Sequence, residues 1–403
     1  MKSVLSLALL SLAALSLSAA DWTQFRGPAG SGVSPATSLP IKWGKAEGLR
    51  YKVELPGRGL SNPVIAGGRV YVTACSGYRE SRLHVLCFDE ATGKKLWERR
   101  FSSTGNTACH PTTCMAAPTP ATDGKAVYAL FATGDLAAYD RDGALLWYRS
   151  LVGDYPDITN QVGMASSLVL GGGALMVPME NAGDSFVAGI DTATGKNLWR
   201  LKRPKATTWV TPIVVETGGR PAALFPMPGN VTAVDPMTGK VRWKYENGDV
   251  SSIPSPSFGD GVLYCPTGRG GLKALKPGND GTEPKELWSI EAFSGGYPSP
   301  VYQAGRLYGL GAVNVKCVSA DDGKELWKQR VDGPFSASPV IADGKLYAVN
   351  NKGVTTVLAL GDKPNLLAKN DIGDAIQATP AIANGCIYLR SDKYLYCIGA
   401  KKN

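Results

Sequence analysis

A short phrase ending in tryptophan returns along this chain, and its repetition limits what the chain can fold into. It reads Asp89-Glu90-Ala91-Thr92-Gly93-Lys94-Lys95-Leu96-Trp97 first, and recurs with Asp191, Thr194, Gly195, Lys196 and Trp199, then with Asp235, Thr238, Gly239, Lys240 and Trp243. Looser copies end at Trp147, Trp288 and Trp327, so successive tryptophans lie 50, 52, 44, 45 and 39 residues apart. A unit of that length cannot bury its own apolar faces and must stack on its neighbours. The common register of Asp, Gly, Lys and Trp excludes six unrelated core tryptophans. Within the phrase, the Asp carboxylate accepts backbone N–H groups across a turn and Thr assists it. Gly supplies the left-handed conformation that closes a short hairpin. Trp then falls on an outer strand, where its ring docks on the next unit and its N–H meets a carbonyl.

Each unit opens with a small residue and proline, then a short apolar strand. Ser61-Asn62-Pro63 is the first example, and Ala117-Pro118-Thr119-Pro120, Thr211-Pro212, Ser255-Pro256, Ser299-Pro300, Ser338-Pro339 and Thr379-Pro380 are later ones. Hairpin signals follow, such as Gly67-Gly68, Asp123-Gly124, Asp260-Gly261 and Asp343-Gly344. Counting openings gives eight four-stranded antiparallel units, near 61–98, 117–148, 166–200, 211–244, 255–289, 299–328, 338–369 and 379–398. The seventh carries Ala368 in the tryptophan position, and the eighth stops after three strands. Residues 49–53 mimic the missing fourth strand, with Tyr51 in the aromatic position. The expectation is an all-β, eight-bladed β-propeller over residues 49–403, closed by an N-terminal strand that completes the last blade. Tyr51, Trp97, Trp147, Trp199, Trp243, Trp288 and Trp327 are its blade-docking residues. The Gly/Pro-rich segment 21–48 is expected to lie across the surface.

Residues 1–20 read as a signal peptide: Lys2, an apolar run over 4–17, and the small residues Ser18, Ala19 and Ala20 before a cleavage at Asp21. No cysteine follows that run closely, so no lipoprotein signal is expected, and no later stretch is long and apolar enough to span a membrane. These features imply a periplasmic or secreted protein. The net charge of +9 is scattered, which makes an anionic surface a candidate partner but supports no nucleic-acid stripe. Cys87, Cys317 and Cys397 occupy one repeat position, two residues before the turn, where Ala or Gly stands in other units; this reads as a small buried slot. Cys109 and Cys114 form the best local disulfide pair, and Cys75–Cys87 and Cys386–Cys397 are alternatives within single blades.

The phrase resembles the tryptophan-docking motif of the PQQ-like β-propeller repeat family, over residues 49–398. The opening Trp22-Thr23-Gln24-Phe25-Arg26-Gly27-Pro28, with Gly30, Gly32 and Val33, and the stretch Leu55-Pro56-Gly57-Arg58-Gly59, are similar to a bacterial exported subset of that family. The family joins quinoprotein dehydrogenases to non-catalytic scaffolds. Its dehydrogenases carry adjacent cysteines, calcium ligands on large insertions and, in some members, a Cys-x-x-Cys-His haem motif. This chain has neither cysteine pattern, and its repeats are compact. The resemblance therefore implies the non-dehydrogenase branch, similar to BamB-like envelope scaffolds, with no cofactor; PQQ with calcium belongs to the alternative reading.

Loops that break the repeat hold the candidate binding residues. His110 sits between Cys109 and Cys114 in a long interblade loop. Asp154 and Asn160 lie in the loop before the third unit, and Glu180, Asn181 and Asp184 lie between its second and third strands. Carboxylates and amides there are expected to form a polar pocket near the funnel of the propeller, with a double Glu180→Ala, Asp184→Ala variant folding normally. His84, inside a strand, reads as a core histidine. No phosphate loop or nucleophile elbow is present. The expected function is that of a monomeric, non-catalytic exported binding or scaffold protein, holding an envelope protein or polymer. The alternatives are a pared-down PQQ-dependent oxidoreductase and a polysaccharide-binding lectin.

Overall fold

The computed structural model describes residues 21–159 and 162–400. The signal-peptide segment and Asn160 lie outside the described residues. The chain forms eight β-sheets arranged as an eight-bladed propeller. Blade 1, for example, runs Val64–Ala66, Arg69–Ser76, Arg82–Asp89 and Lys95–Ser102, each strand antiparallel to the last. Blade 8 contains Ala381–Ala383, Cys386–Arg390 and Tyr394–Ile398, and its fourth strand is Leu49–Glu54 from the other end of the chain. Tyr51 pairs with Cys397 there, as the sequence mimicry requires.

The phrase works as a joint between blades. Asp89, Asp191 and Asp235 each accept the N–H and hydroxyl of the Thr three residues on, at 2.6–2.9 Å. The turn Gly then takes positive φ, and the aromatic ring of the preceding blade lies directly on it. A Cβ at Gly143, Gly195 or Gly239 would sit 2.5–2.8 Å from the ring of Trp97, Trp147 or Trp199. The same geometry places Tyr51 of blade 8 on Gly93 of blade 1, which closes the circle. The indole N–H of Trp97, Trp147, Trp199 and Trp288 donates to the carbonyl of Arg141, Thr192, Pro236 and Ala320, at 2.7–3.0 Å. Trp243 and Trp327 find no acceptor among the described residues. The blades they face carry a longer hairpin over 277–284 and a phrase-free turn over 360–364, so the usual carbonyl is not presented.

The small slot has a matching cause. Cys87, Ala138, Gly189, Ala233, Ala274 and Cys317 each stand directly across the strand pair from their blade's Trp, and Cys397 from Tyr51. At Gly189 a Cβ would meet the Trp199 indole nitrogen at 2.3 Å. In blade 7, where Ala368 replaces Trp, the residue in the slot is the larger Val357. The residue before each aromatic is bulged out of the pairing, which turns Leu96, Leu198, Leu287 and Leu326 to the surface.

Segment 21–48 is not a surface strap. Its first part is a plug along the propeller axis that touches every blade. Trp22 exchanges two backbone hydrogen bonds with Ile65 of blade 1, Thr23 accepts from Thr122 of blade 2, and the Gln24 side chain accepts from Leu170 of blade 3. Gly30 packs on Ile213 of blade 4. The buried Arg26 guanidinium donates to the carbonyls of Pro256 and Pro300 and to Ser257, reaching blades 5 and 6. Val33–Ser34 pairs in parallel with Val340–Ala342, so blade 7 has five strands rather than four, and Ser34 donates to Ile382 of blade 8. The axial channel demands this burial, because eight inner strands leave polar backbone edges and apolar space that must be filled.

All eight cysteines are free thiols. The strand register excludes a Cys75–Cys87 bridge, since Cys75 stands opposite Leu83 and Cys87 opposite Tyr71. Cys397 lies against Cys386, where burial and that neighbour push its thiol up.

Two outcomes test this joint. Gly239→Ala should destabilise the fold more than Gly219→Ala in equilibrium urea unfolding. Both positions have positive φ, worth about 1–2 kcal/mol for a non-glycine residue, but only Gly239 faces an indole and Gly219 faces open space. The Thr hydroxyls and backbone N–H groups hold the Asp89 and Asp191 carboxyls below the usual range. Their contribution is full above the ordinary carboxyl pKa of ~4 and is lost as pH falls through the lower folded value. Thermal melts from pH 6 down to pH 2 should show a steeper loss for the parent chain than for an Asp89→Asn, Asp191→Asn variant.

Candidate functional site

The residues that open the blades meet around the axis. The backbone N–H of Asn62 donates to the Thr119 hydroxyl at 3.0 Å, and that of Thr119 to Ser167 at 3.0 Å. The relay continues from Ser167 to Thr211, Ser255, Ser299, Ser338 and Thr379 at 2.9–3.0 Å. Thr379 N–H returns to the Asn62 side-chain oxygen at 3.1 Å, which makes a closed ring of eight hydrogen bonds. Seven of these residues precede proline, which holds their backbone extended and fixes the direction of each N–H. A hydroxyl that accepts one such bond keeps its own proton to offer elsewhere.

All eight ring residues line one blind funnel of about 490 Å³. Phe25 of the plug closes its base. Leu60, Ala165 and Ile253 give apolar wall, and Trp209, Tyr297, His110, Asn351 and Gln377 contribute aromatic and hydrogen-bonding groups. The Trp209 indole is anchored by donation to the Gly163 carbonyl at 2.8 Å. Tyr297 is about half exposed. Among the described residues lining the funnel there is no carboxylate, ammonium or guanidinium group. The funnel therefore offers neutral hydrogen bonds and aromatic faces, at a size suited to a small molecule.

Of the candidate binding residues that fall among the described residues, His110 is the one that lines this funnel. Its Nδ1 lies 2.8 Å from the Thr112 hydroxyl, and its N–H donates to the Val162 carbonyl. The other loops do meet one another, but they do not form a pocket open to the funnel. Asp184 N–H donates to the Asp157 carbonyl, and Thr159 N–H to the Asn181 side chain. Asn181 spends its amide on the carbonyls of Met179 and Asp184. Asp184 pairs with Arg200, and Asp154 pairs with Arg149 in a separate shallow groove beside Asn197. Glu180 and Arg203 form a buried ion pair at 2.6 Å, each side chain almost wholly enclosed. Burial pushes the Glu180 carboxyl up, against the pull of Arg203. Arg203 also donates to Thr232 and the Phe225 carbonyl, so the pair ties blade 3 to blade 4. These side chains hold structure. His84 is likewise buried, between Ser76 and Glu98 at 2.8 Å each.

Cys114 and Cys109 have different neighbours. The Cys114 thiol lies with that of Cys75 and the Glu80 carboxylate, while Cys109 contacts the Thr113 carbonyl at 3.7 Å.

Trp209 was legible only indirectly. Trp22, Trp43 and Trp209 are the three tryptophans outside the repeated phrase, and being out of register is the signal that they serve something else. The first two pack the plug segment into the core, and the third lines the funnel.

Comparison with known proteins agrees with this geometry. The family model described as outer membrane protein assembly factor BamB matches residues 41–177, 158–253 and 268–363. The chain belongs to this family of PQQ-like β-propeller repeat proteins. No curated protein sequence matches the chain. Among solved structures, BamB from Moraxella catarrhalis is similar at 16% identity and a TM-score of 0.64, over 88% of this chain and 97% of that one. A europium-containing methanol dehydrogenase is similar at 14% identity and a TM-score of 0.71, over 92% and 89%. The quinohemoprotein alcohol dehydrogenase of Comamonas testosteroni follows at 15% identity and 0.68, over 95% and 81%. At such identities the likeness shows the fold, which scaffold and dehydrogenase share.

The Glu180–Arg203 pair gives a direct prediction, opposite to the sequence expectation. Glu180→Ala leaves a buried guanidinium unpaired and should cost about 3–5 kcal/mol, read as a lower denaturation midpoint. Asp184→Ala, at a part-exposed pair, should cost under about 1 kcal/mol.

Proposed function

We propose that this chain is an exported binding protein whose funnel takes a small, uncharged, polyhydroxylated ring, as in a sugar or the end of a glycan. The observation that carries the reading is the lining: eight neutral blade-opening residues, anchored Trp209 and half-exposed Tyr297, with no charged group among the described residues. Neutral hydroxyl and amide groups beside an aromatic face match a ligand that is polar at its edges and apolar on its faces. The apolar leader over residues 4–17 supports placing the protein outside the cytoplasm.

A scaffold for an envelope protein would use an outer face of the propeller, whereas the feature argued from here is a concave funnel on the axis. The quinoprotein reading meets one of its needs and lacks another. Trp209 offers an indole against which a planar cofactor could lie. PQQ, however, brings three carboxylates and a calcium ion, and the described residues of the funnel offer no cationic side chain and no carboxylate ligand to them. The residues present do not fit that pair.

The test is a glycan-array screen, followed by titration of the hits against intrinsic tryptophan fluorescence. Trp209→Ala should weaken binding about tenfold or more, since a lost aromatic contact of ~1.4 kcal/mol corresponds to that factor. Glu180→Gln, away from the funnel, is the wrong control because it disturbs the core; Asp154→Asn is the proper one and should leave affinity unchanged. Silence on the array would refute the reading. Quinone absorbance retained after desalting with PQQ and calcium, and lost in Trp209→Ala, would replace it with the dehydrogenase reading.

A further inference from the structure

Outside the funnel, one cluster of side chains has no role in the docking joints, the plug or the ring. Cys75 is the next-to-last residue of the second strand of blade 1, Glu80 follows five residues later in a tight turn, and Cys114 arrives from the long loop that leads into blade 2. Their two sulfurs and a carboxylate oxygen all lie within 4.8 Å of one another. The Cys75 sulfur is 3.4 Å from Glu80 Oε2. Both cysteines are buried. Glu80 is fixed from two sides: Oε2 accepts the Met115 N–H at 2.9 Å, and Oε1 accepts from Arg58 at 3.4 Å. Its side chain is about a quarter exposed, which opens a path to solvent.

We propose that Cys75, Cys114 and Glu80 form a binding site for one thiophilic divalent cation of the zinc class. Two sulfurs and one oxygen, drawn together at these separations, are three corners of a tetrahedron, and water takes the fourth. A carboxylate beside two closely packed thiols serves no purpose in a simple disulfide, but it completes a metal donor set. The neighbouring Cys114 thiol, then burial and the Glu80 charge, push the Cys75 thiol up. A divalent cation reverses that penalty by displacing both thiol protons to solvent, so two protons leave for each ion bound.

Arg390 is a second, independent indication. It is almost wholly buried, with Nη1 on the carbonyl and hydroxyl of Ser61. Its Nε and Nη2 have no partner among the described residues. Cys114 and Cys75 are the thiols its charge acts on. Two thiolates, one carboxylate and a divalent cation carry a net charge of minus one. That negative charge would add to the Asp392 carboxylate, which already acts on this buried, half-satisfied guanidinium. Bound metal would also pin the 105–116 loop to blade 1, and this loop carries His110 into the funnel.

The test uses the full-length chain, reduced and stripped of metal under anaerobic conditions, and titrated with cobalt(II). A thiolate-to-cobalt charge-transfer band in the near ultraviolet should appear and saturate at one ion per chain. It should be lost in Cys75→Ser and in Cys114→Ser, and kept in Cys265→Ser, a buried thiol in blade 5. Glu80→Gln, which preserves shape, should keep the band but weaken affinity about tenfold or more. Binding should weaken as pH falls, because protons compete for both sulfurs. Native mass spectrometry of the unmutated chain with zinc(II) should show one zinc gained and two hydrogens lost, a readout that does not depend on any variant folding. The proposal is overturned if cobalt(II) gives no charge-transfer band, if Glu80→Gln binds as the parent does, or if peptide mapping of exported protein finds Cys75 and Cys114 joined as a disulfide.

Discussion

Eight backbone N–H groups, each held by the side chain of the next blade's opening residue, tie the centre of this molecule into a ring. Each bond alone is worth about 1 kcal/mol, but none is independent, because each blade is fixed by the one before and fixes the one after. Proline after seven of the eight openers keeps the donors aligned, and the plug beneath them leaves no room to slide. The same ring forms the wall of the funnel. Closure of the fold and shape of the cavity therefore depend on one set of side chains, and the chemistry of the cavity is inherited from what closure requires: small, neutral and hydroxylated.

At the outer radius a different contact sets the angle between blades. An aromatic ring lies on a glycine of the next turn, with a small residue beneath it across the strand pair. Three positions thus covary for steric reasons within each joint. The seventh blade is the exception that fits, since the ring is lost at Ala368 and a larger residue, Val357, stands in the slot opposite. The two tryptophans without an N–H acceptor make the same point: each is buried against a turn that departs from the phrase. Ring burial carries the joint, and the hydrogen bond is an addition to it.

Much of this architecture was legible in the residues because it repeats. Register among Asp, Gly and Trp, counted openings, and Tyr51 in an aromatic position gave blade number and the manner of closure. What does not repeat was harder to read. Segment 21–48 contains Gly and Pro, which suggest a loop, yet Trp22 and Arg26 are buried because the axis is a cavity that only a non-repeating strand can fill. Glu180, Asn181 and Asp184 have the composition of a binding loop, but their partners, Arg203 and Arg200, are distant enough in sequence that satisfaction could not be inferred. The placing of Cys114 beside Cys75 and Glu80 has the same origin, since both are far from it along the chain. The lining of the funnel is not legible in the sequence, because small residues before proline mark strand starts and carry no chemical signature one at a time.

The fourth strand of the last blade comes from the beginning of the chain, and so does the axial plug. Residues that emerge first from synthesis must wait for those that emerge last. Contacts such as Tyr51 with Cys397 and Ser34 with Ile382 span nearly the whole polypeptide, and loop closure of that length must precede its reward. Assembly should thus end in a single late event that seats plug, strand and ring together. Until then the leading segment, with its exposed tryptophan, is the part of the molecule most in need of protection from its neighbours.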